Sequence, residues 1–151
     1  MLQKYDNMVL ESNVPYGMTS NRGNFHNRVS MTFLLAAYRA EDHAMAKKVS
    51  GSMKKDLEQQ MKYYRSLGDE SMTNETLAMQ AAAVMNNKGG NLSQKQYTFA
   101  QDILSSYQML LQLTDWEKQF KPGGAGNAVE TAPGTLPAPD SQKASVDTTK
   151  P

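Results

Sequence analysis

Residues 43–67 read HAMAKKVSGSMKKDLEQQMKYYRSL, and this stretch decides the fold. Its large apolar residues recur at steps of three and four, the spacing that places side chains on one face of an α-helix. They are Met45, Val49, Met53, Leu57, Met61 and Tyr64. Asp42 precedes the stretch as a candidate N-cap, and Gly68 follows it as a candidate left-handed stop. The pattern predicts one long amphipathic helix over residues 43–67.

Two more helices are predicted upstream. Leu2, Tyr5 and Val9 have helical spacing, so a first helix of about ten residues is expected before the Val14-Pro15 stop. After a turn-rich stretch, Asn24 is a candidate cap for a helix over residues 24–40, which is apolar almost all round. Such a helix is expected to be central and the most buried.

Downstream, the sequence predicts a helical hairpin. Thr73 or Asn74 can cap a fourth helix, which the Asn-Asn-Lys-Gly-Gly run at 86–90 ends. Ser93 with Gln96 three residues later forms a capping box, the clearest helix start in the chain. The fifth helix continues to Phe120, and its expected packing face comprises Tyr97, Ala100, Ile103, Leu104, Tyr107, Leu110, Leu111 and Thr114.

The composition changes after Phe120. Residues 121–151 contain five of the six prolines and four of the ten glycines, and no aromatic residue. Because such a segment cannot bury enough apolar surface to offset its ordering entropy, we predict a disordered tail over 121–151 and one folded domain over 1–120. The alternation expected of strands is absent, so the predicted fold class is all-α with about five helices.

Two architectures fit these helices. The short turn at Glu41-Asp42, with Leu34 and Tyr38 before it and Ala46 after it, is similar to part of a tetratricopeptide unit. The opening Trp and closing Pro of that unit are missing, and no second copy recurs at a fixed period. The prediction is a tetratricopeptide-like helix pair followed by a helical hairpin, with an irregular helical bundle as the alternative.

Charge and motifs argue against several function classes. The chain has 16 Lys+Arg against 15 Asp+Glu, which gives no overall attraction to nucleic acid. It has no Cys, and His26 and His43 are not spaced to bind a metal together. None of the common hydrolase or phosphate-binding motifs occurs, and the longest apolar run is far too short to span a membrane. We therefore expect no enzyme activity, no metal, no cofactor, no nucleic-acid partner and no membrane insertion by this chain.

Five residues are candidate ligand or partner contacts. Arg22, His26 and Arg28 surround a predicted helix N-terminus, where free N–H groups and the helix dipole favour an anion. The alternative, which we favour, is a capping turn whose polar side chains satisfy backbone groups. Tyr63 and Tyr64 could line a concave surface, although aromatic residues at helical spacing are more often core.

Two further features are better interpreted as structural than as binding features. The paired lysines at 47–48 and 54–55 are diluted by acidic neighbours, which favours a solvated helix face over a binding patch. The 11 methionines could form an adaptable groove, but most occupy positions expected to face the core.

The runs NVPYGMTSNRGNFHNRVSMTFLLAAYRA and KKVSGSMKKDLEQQMKYYRSL resemble the C-terminal, tetratricopeptide-like region of protein O-mannosyltransferase-like membrane proteins of Bacteroidetes, a glycosyltransferase-type family. The resemblance covers residues 1–67 and, more weakly, 92–120, and it involves no catalytic motif. It implies that the catalytic residues of such a protein lie in a membrane portion outside this sequence. It also implies an extracytoplasmic location, which the residues themselves leave unknown.

These observations favour a non-catalytic helical interaction module that binds a protein segment or docks on a domain of its parent chain. One alternative is a glycan-handling accessory domain, with Tyr63, Tyr64, Arg22 and His26 exposed in one groove. Another is a structural homodimer through the fifth helix, which should dissociate when Leu104 and Leu111 are replaced.

Overall fold

The computed structural model describes residues 4, 15–18 and 24–121, and this part of the chain is helical without strands. The predicted all-α class is confirmed. The helices are α1 Phe25–Arg39, α2 His43–Ser66, α3 Asn74–Met85, α4 Gln94–Thr98 and α5 Ala100–Gln119. Most of the predicted first helix, and the predicted disordered tail from residue 122 onward, lie outside the described residues.

Helix α2 lies at the centre of the bundle. It runs antiparallel to α1, because the two helices share a tight turn and Asn27 near the start of α1 bonds to Asp56 far along α2. It also runs antiparallel to α5, whose start lies near Tyr64 and whose last residues reach Tyr38 of α1. Helix α3 packs chiefly on α5. Helices α1 and α5 therefore pack on α2, and α3 covers α5.

The core consists of two apolar clusters. The first cluster, between α1, α2 and the end of α5, contains Tyr16, Met31, Leu34, Ala37, Tyr38, Met45, Ala46, Val49, Met53, Leu57, Met109 and Leu113. The second cluster, between α2, α3 and the start of α5, contains Met61, Tyr64, Leu77, Ala81, Ala100 and Ile103. All six residues of the predicted stripe on α2 are buried, and several methionines fill the first cluster.

Three of the predicted helix starts are confirmed in detail. The Asp42 carboxylate accepts from Met45 N at 3.0 Å, and the Thr73 hydroxyl accepts from Thr76 N at 3.1 Å. The Ser93 hydroxyl accepts from Gln96 N at 3.2 Å while the Gln96 side chain accepts from Ser93 N at 3.1 Å, which completes the capping box.

Three other local predictions were wrong. Gly68 does not have the left-handed conformation expected of a stop; instead, a Cβ there would lie 2.3 Å from Gln96 Oε1. The predicted fifth helix breaks at Phe99 into α4 and α5, and the buried residues of α5 are Ala100, Ile103, Ser106, Met109 and Leu113. The buried face is thus rotated from the predicted one, and Leu111 is half-exposed.

Helix α1 is also less buried than predicted. Its inward face carries Met31, Leu34, Ala37 and Tyr38, but Phe25 is 72% exposed and Val29 is 53% exposed. The described residues cover only one side of a helix whose sequence is apolar almost all round.

Candidate functional site

The structure describes four of the five predicted contact residues and gives them different surroundings. His26 Nε2 lies 2.8 Å from the Pro15 carbonyl oxygen, which accepts its hydrogen bond, and Arg28 is exposed. Tyr63 is 52% exposed, whereas Tyr64 is 6% exposed and belongs to the second cluster. Arg22 lies outside the described residues. His26 therefore binds the main chain of another segment at this position.

Residues 15–18 form a non-helical segment that α1 and α2 hold through its main chain. The Ser30 hydroxyl donates to the Tyr16 carbonyl at 2.6 Å, and His26 bonds to the carbonyl of Pro15. Gly17 N donates to Ser52 Oγ at 3.0 Å, and Met18 N donates to Asn27 Oδ1, also at 3.0 Å. Each of the four consecutive residues thus bonds through a backbone group to a side chain of α1 or α2. These bonds do not depend on the side chains of residues 15–18.

Close packing reinforces this attachment. A Cβ on Gly17 would lie 2.2 Å from the Ser52 carbonyl oxygen, so only glycine lets the segment approach α2 this closely. The Tyr16 ring stacks on Phe33 with centroids 5.5 Å apart, and its hydroxyl lies 3.9 Å from Met45 Sδ. Lys48 Nζ lies 5.9 Å from the centroid of the same ring, within the range of a cation–π contact.

A groove of about 720 Å³ runs along α2 beside this segment. Its lining consists of Pro15, Gly17, Lys48, Gly51, Ser52, Lys55, Asp56 and Gln59. The residues from α2 follow helical spacing, so they form one stripe of that helix. A Cβ on Gly51 would meet nothing within 4 Å, so the groove is open at its centre. Sequence reasoning missed this groove, although a glycine inside an amphipathic helix between two lysine pairs was a signal that could have pointed to it.

A layer of polar side chains lies between the two apolar clusters and borders the groove; its members are the buried Asn24, Asn27, Gln60 and Ser106 and the partly buried Asp56. Asp56 Oδ2 accepts from Asn27 Nδ2 at 2.8 Å and from Gln60 Nε2 at 2.6 Å. The Ser106 hydroxyl accepts from Asn24 Nδ2 at 2.8 Å and lies 2.9 Å from Gln60 Oε1. This polar layer joins α1, α2 and α5, and it fixes the helix that forms the floor of the groove.

An aromatic cluster lies further along α2. The rings of Tyr63 and Phe99 meet edge-on with centroids 6.2 Å apart, and Tyr64 lies 5.6 Å from each of them. Burial, followed by the negative charge of Asp102, raises the pKa of Tyr64 to about 12. Tyr64 is therefore a neutral core residue at physiological pH, and Tyr63 is the exposed member of the cluster.

Within 15–18 and 24–121, no group of three or more His, Asp or Glu side chains is placed to hold a metal ion. Among the described helices, none has both the length and the apolar character needed to cross a membrane.

Comparison with known proteins gives no family for this chain. No family model matches its sequence, and neither a curated protein nor a solved structure is significantly similar to it. The resemblance to the O-mannosyltransferase-like proteins therefore stays a prediction.

Proposed function

We propose that the chain is a non-catalytic helical interaction module that binds an extended, acidic protein segment in the groove along α2. The observation that carries the proposal is Gly51 at the open centre of this groove. A glycine in a helix interior costs about 1 kcal/mol relative to alanine. Packing within the described residues does not require a glycine here, since a Cβ would contact nothing. The close approach of a ligand backbone to this position would explain why a glycine stands here.

The groove is lined by two lysines and one aspartate, and the Asp56 carboxylate accepts hydrogen bonds from Asn27 and Gln60. Lys48 and Lys55 are seven residues apart on one helix, which places them about 10 Å from each other on the same face. A peptide in the polyproline II conformation has three residues per turn and advances about 3.1 Å per residue, so acidic side chains three positions apart lie on one side of it and match the two lysines. Gln59 follows one turn after Lys55 and adds an amide that can bond to the peptide backbone.

The neighbouring segment supports the choice of a peptide. Residues 15–18 lie along the same wall of α2 and are held through their backbone atoms. The groove continues that surface, so a second extended chain could lie beside the first. On the resemblance above, the module would be the soluble C-terminal part of a larger membrane glycosyltransferase-like protein, and the bound segment would come from its parent chain or a partner.

Fluorescence anisotropy with a labelled octapeptide tests the proposal. The probe carries two glutamates three residues apart among glycine, alanine and threonine, and the control peptide carries glutamines instead. We expect the glutamate peptide to bind at low salt and the Lys55→Glu variant to bind it at least tenfold more weakly, because a charge pair is replaced by repulsion.

Gly51→Leu tests the shape of the groove. Leucine favours helix and would fill the open floor, so binding should be lost while the melting temperature is unchanged or higher. Gln112→Leu on the exposed side of α5 is the matched control and should bind as the intact chain does. Equal binding of the two peptides, or undiminished binding by Gly51→Leu, would show that the groove is not the site.

No observation favours the glycan-handling alternative, because Tyr64 is buried and His26 is bonded to Pro15. The homodimer through the last helix stays a prediction. Of its two residues, Leu111 is half-exposed and Leu104 is partly buried. A melting temperature that rises with protein concentration, and that loses this dependence in Leu111→Gln, would support it.

A further inference from the structure

An exposed aromatic side chain lies on the same face of α2 as the groove. The groove lining ends at Gln59, and Tyr63 follows it one turn later. Because an α-helix turns about 100° per residue, Tyr63 is offset from Gln59 by only about 40° around the helix. Tyr63 is eight residues from Lys55, or about 12 Å along the helix axis. The stripe of α2 that lines the groove therefore continues to an aromatic ring.

The Tyr63 ring is open to solvent but held in place. Its side chain is 52% exposed. The ring meets that of Phe99 edge-on with centroids 6.2 Å apart, and it lies 5.6 Å from the ring of Tyr64, which is buried in the second cluster. A side chain that two neighbours already hold loses little conformational freedom when a ligand packs on it. Tyr63 thus presents a preorganised apolar surface at one end of the groove.

The conformation of the proposed ligand indicates which residue type fits this ring. An acidic segment that matches the two lysines lies in the polyproline II conformation, which proline favours because its ring fixes φ. Proline-containing segments in this conformation dock on aromatic side chains in other peptide-binding modules. A proline of the ligand and the Tyr63 ring are therefore complementary in shape and polarity.

The register of the ligand agrees with such a contact. Four residues of polyproline II advance about 12 Å, which equals the axial distance from Lys55 to Tyr63. The fourth residue also lies one third of a turn away from the row of acidic side chains. Tyr63 is likewise off the line of the lysines: it is about 80° around the helix from Lys55, whereas Lys48 is only about 20° from Lys55. A residue four positions from the acid at Lys55 is thus placed to contact the ring.

We infer that Tyr63 is a specificity-determining residue of the groove, and that the bound segment carries a proline four positions from the acidic residue that pairs with Lys55. The inference rests on the proposed function, and it narrows the ligand from an acidic segment to an acidic, proline-containing one. Because the contact is apolar, the gain from proline should persist at salt concentrations that weaken the lysine contacts.

Fluorescence anisotropy with two pairs of labelled decapeptides tests the inference on the full chain. In the first pair, glutamates occupy positions 2 and 5, position 9 is proline or alanine, and the rest is glycine, alanine and threonine. The second pair has the same residues in reverse order, because the two lysines do not fix the direction of the bound segment. We expect proline to strengthen binding about fivefold over alanine in one of the two orders.

Substitutions on the protein assign the preference for proline to the ring. Tyr63→Ala should abolish the preference, whereas Tyr63→Phe should keep it because the ring remains. The matched control is Tyr97→Ala, which removes a tyrosine of α4 that is 58% exposed, and it should keep the preference as well. The melting temperature of each variant shows that it is folded.

The outcomes separate this inference from the proposed function. Glutamate-dependent binding without a preference for proline, or a preference that Tyr63→Ala retains, would overturn the inference and leave the proposed function standing. Loss of the preference in Tyr97→Ala as well would also overturn it, since the effect would not belong to Tyr63. Binding that does not depend on the glutamates would overturn both.

Discussion

The helix starts at Asn24 and Ser93 look alike in sequence but are built differently. At Ser93 the hydroxyl caps its own helix through Gln96 N, and the Gln96 side chain returns the bond. At Asn24 the side chain makes no capping bond; it donates to Ser106 of α5, 82 positions away in the chain. The first start forms its cap from neighbours in sequence and also bonds to the Leu67 and Tyr64 carbonyls at the end of α2. The second forms no cap and serves the contact between α1 and α5.

This difference shows where contacts between residues far apart in sequence, rather than local capping preferences, determine the conformation of a side chain. Asn24 is 3% exposed and lies in the polar layer, where a buried amide without a partner would cost more than a missing cap. Ser93 is only partly buried, so its hydroxyl remains available to its own helix. Substitutions at the two starts should therefore lower stability through different interactions, a lost bond between helices at Asn24 and a lost cap at Ser93.

The largest effect is expected for Asn27→Ala, which removes the centre of the polar layer. Asn27 is fully buried, bonds to Asp56 and accepts from Met18 N. The variant leaves the Met18 N–H, the Asn24 Oδ1 and the Asp56 carboxylate without this partner, so the free energy of unfolding should fall by about 3 kcal/mol. Urea denaturation measures it.

The matched control is Thr32→Ala, an exposed position on the same helix, which should change stability by less than about 0.5 kcal/mol. If Asn27→Ala were as mild as this control, the polar layer would not hold α1 to α2, and the comparison between the two starts would lose its basis.

At Asn24 itself, an intermediate effect of about 2 kcal/mol is expected for Asn24→Ala, because the bond to Ser106 is lost from a buried site. The informative variant is Asn24→Ser. Serine is as good an N-cap as asparagine, but its shorter side chain is not expected to reach Ser106. We therefore expect Asn24→Ser to be no more stable than Asn24→Ala. Full recovery by serine would mean that capping decides this start after all.

Ser93→Ala should cost less, about 1.5 kcal/mol, through the lost cap and the lost bond from the Ser93 hydroxyl to the Leu67 carbonyl. Here Ser93→Thr should restore most of the stability, because threonine keeps the hydroxyl. Thermal unfolding of the three proteins is sufficient to compare them. Failure of threonine to recover stability would place this start, too, under long-range control.

The same distinction explains how far the sequence could be interpreted. The stripe on α2 and the caps at Asp42, Thr73 and Ser93 were predictable, since each depends on residues within a few positions. The rotated face of α5 was not, because Ser106 is buried by its bond to Asn24 rather than by hydrophobicity. The groove at Gly51 was hidden for a similar reason: it exists because residues 15–18 lie on α2, a contact between positions far apart in sequence.

The last effect is confined to alkaline pH and concerns the support beneath the second start. The Tyr64 carbonyl accepts from Gln96 Nε2 at 3.0 Å, and burial raises the pKa of the Tyr64 hydroxyl from 10.0 to about 12. The unfolded chain loses this proton near pH 10, whereas the folded chain holds it up to about pH 12. The stabilisation from neutral Tyr64 is thus complete below pH 10 and is lost progressively between pH 10 and 12.

Urea denaturation of the intact chain and of Tyr64→Phe at pH 9 and pH 11.5 isolates the contribution of Tyr64, because the other tyrosines titrate in both proteins. We expect the stability of the intact chain to fall relative to the variant. A constant difference would mean that Tyr64 ionises as easily in the folded chain as in water. The Tyr64 hydroxyl would then be solvated in the folded state, in spite of the packing of its ring against Phe99.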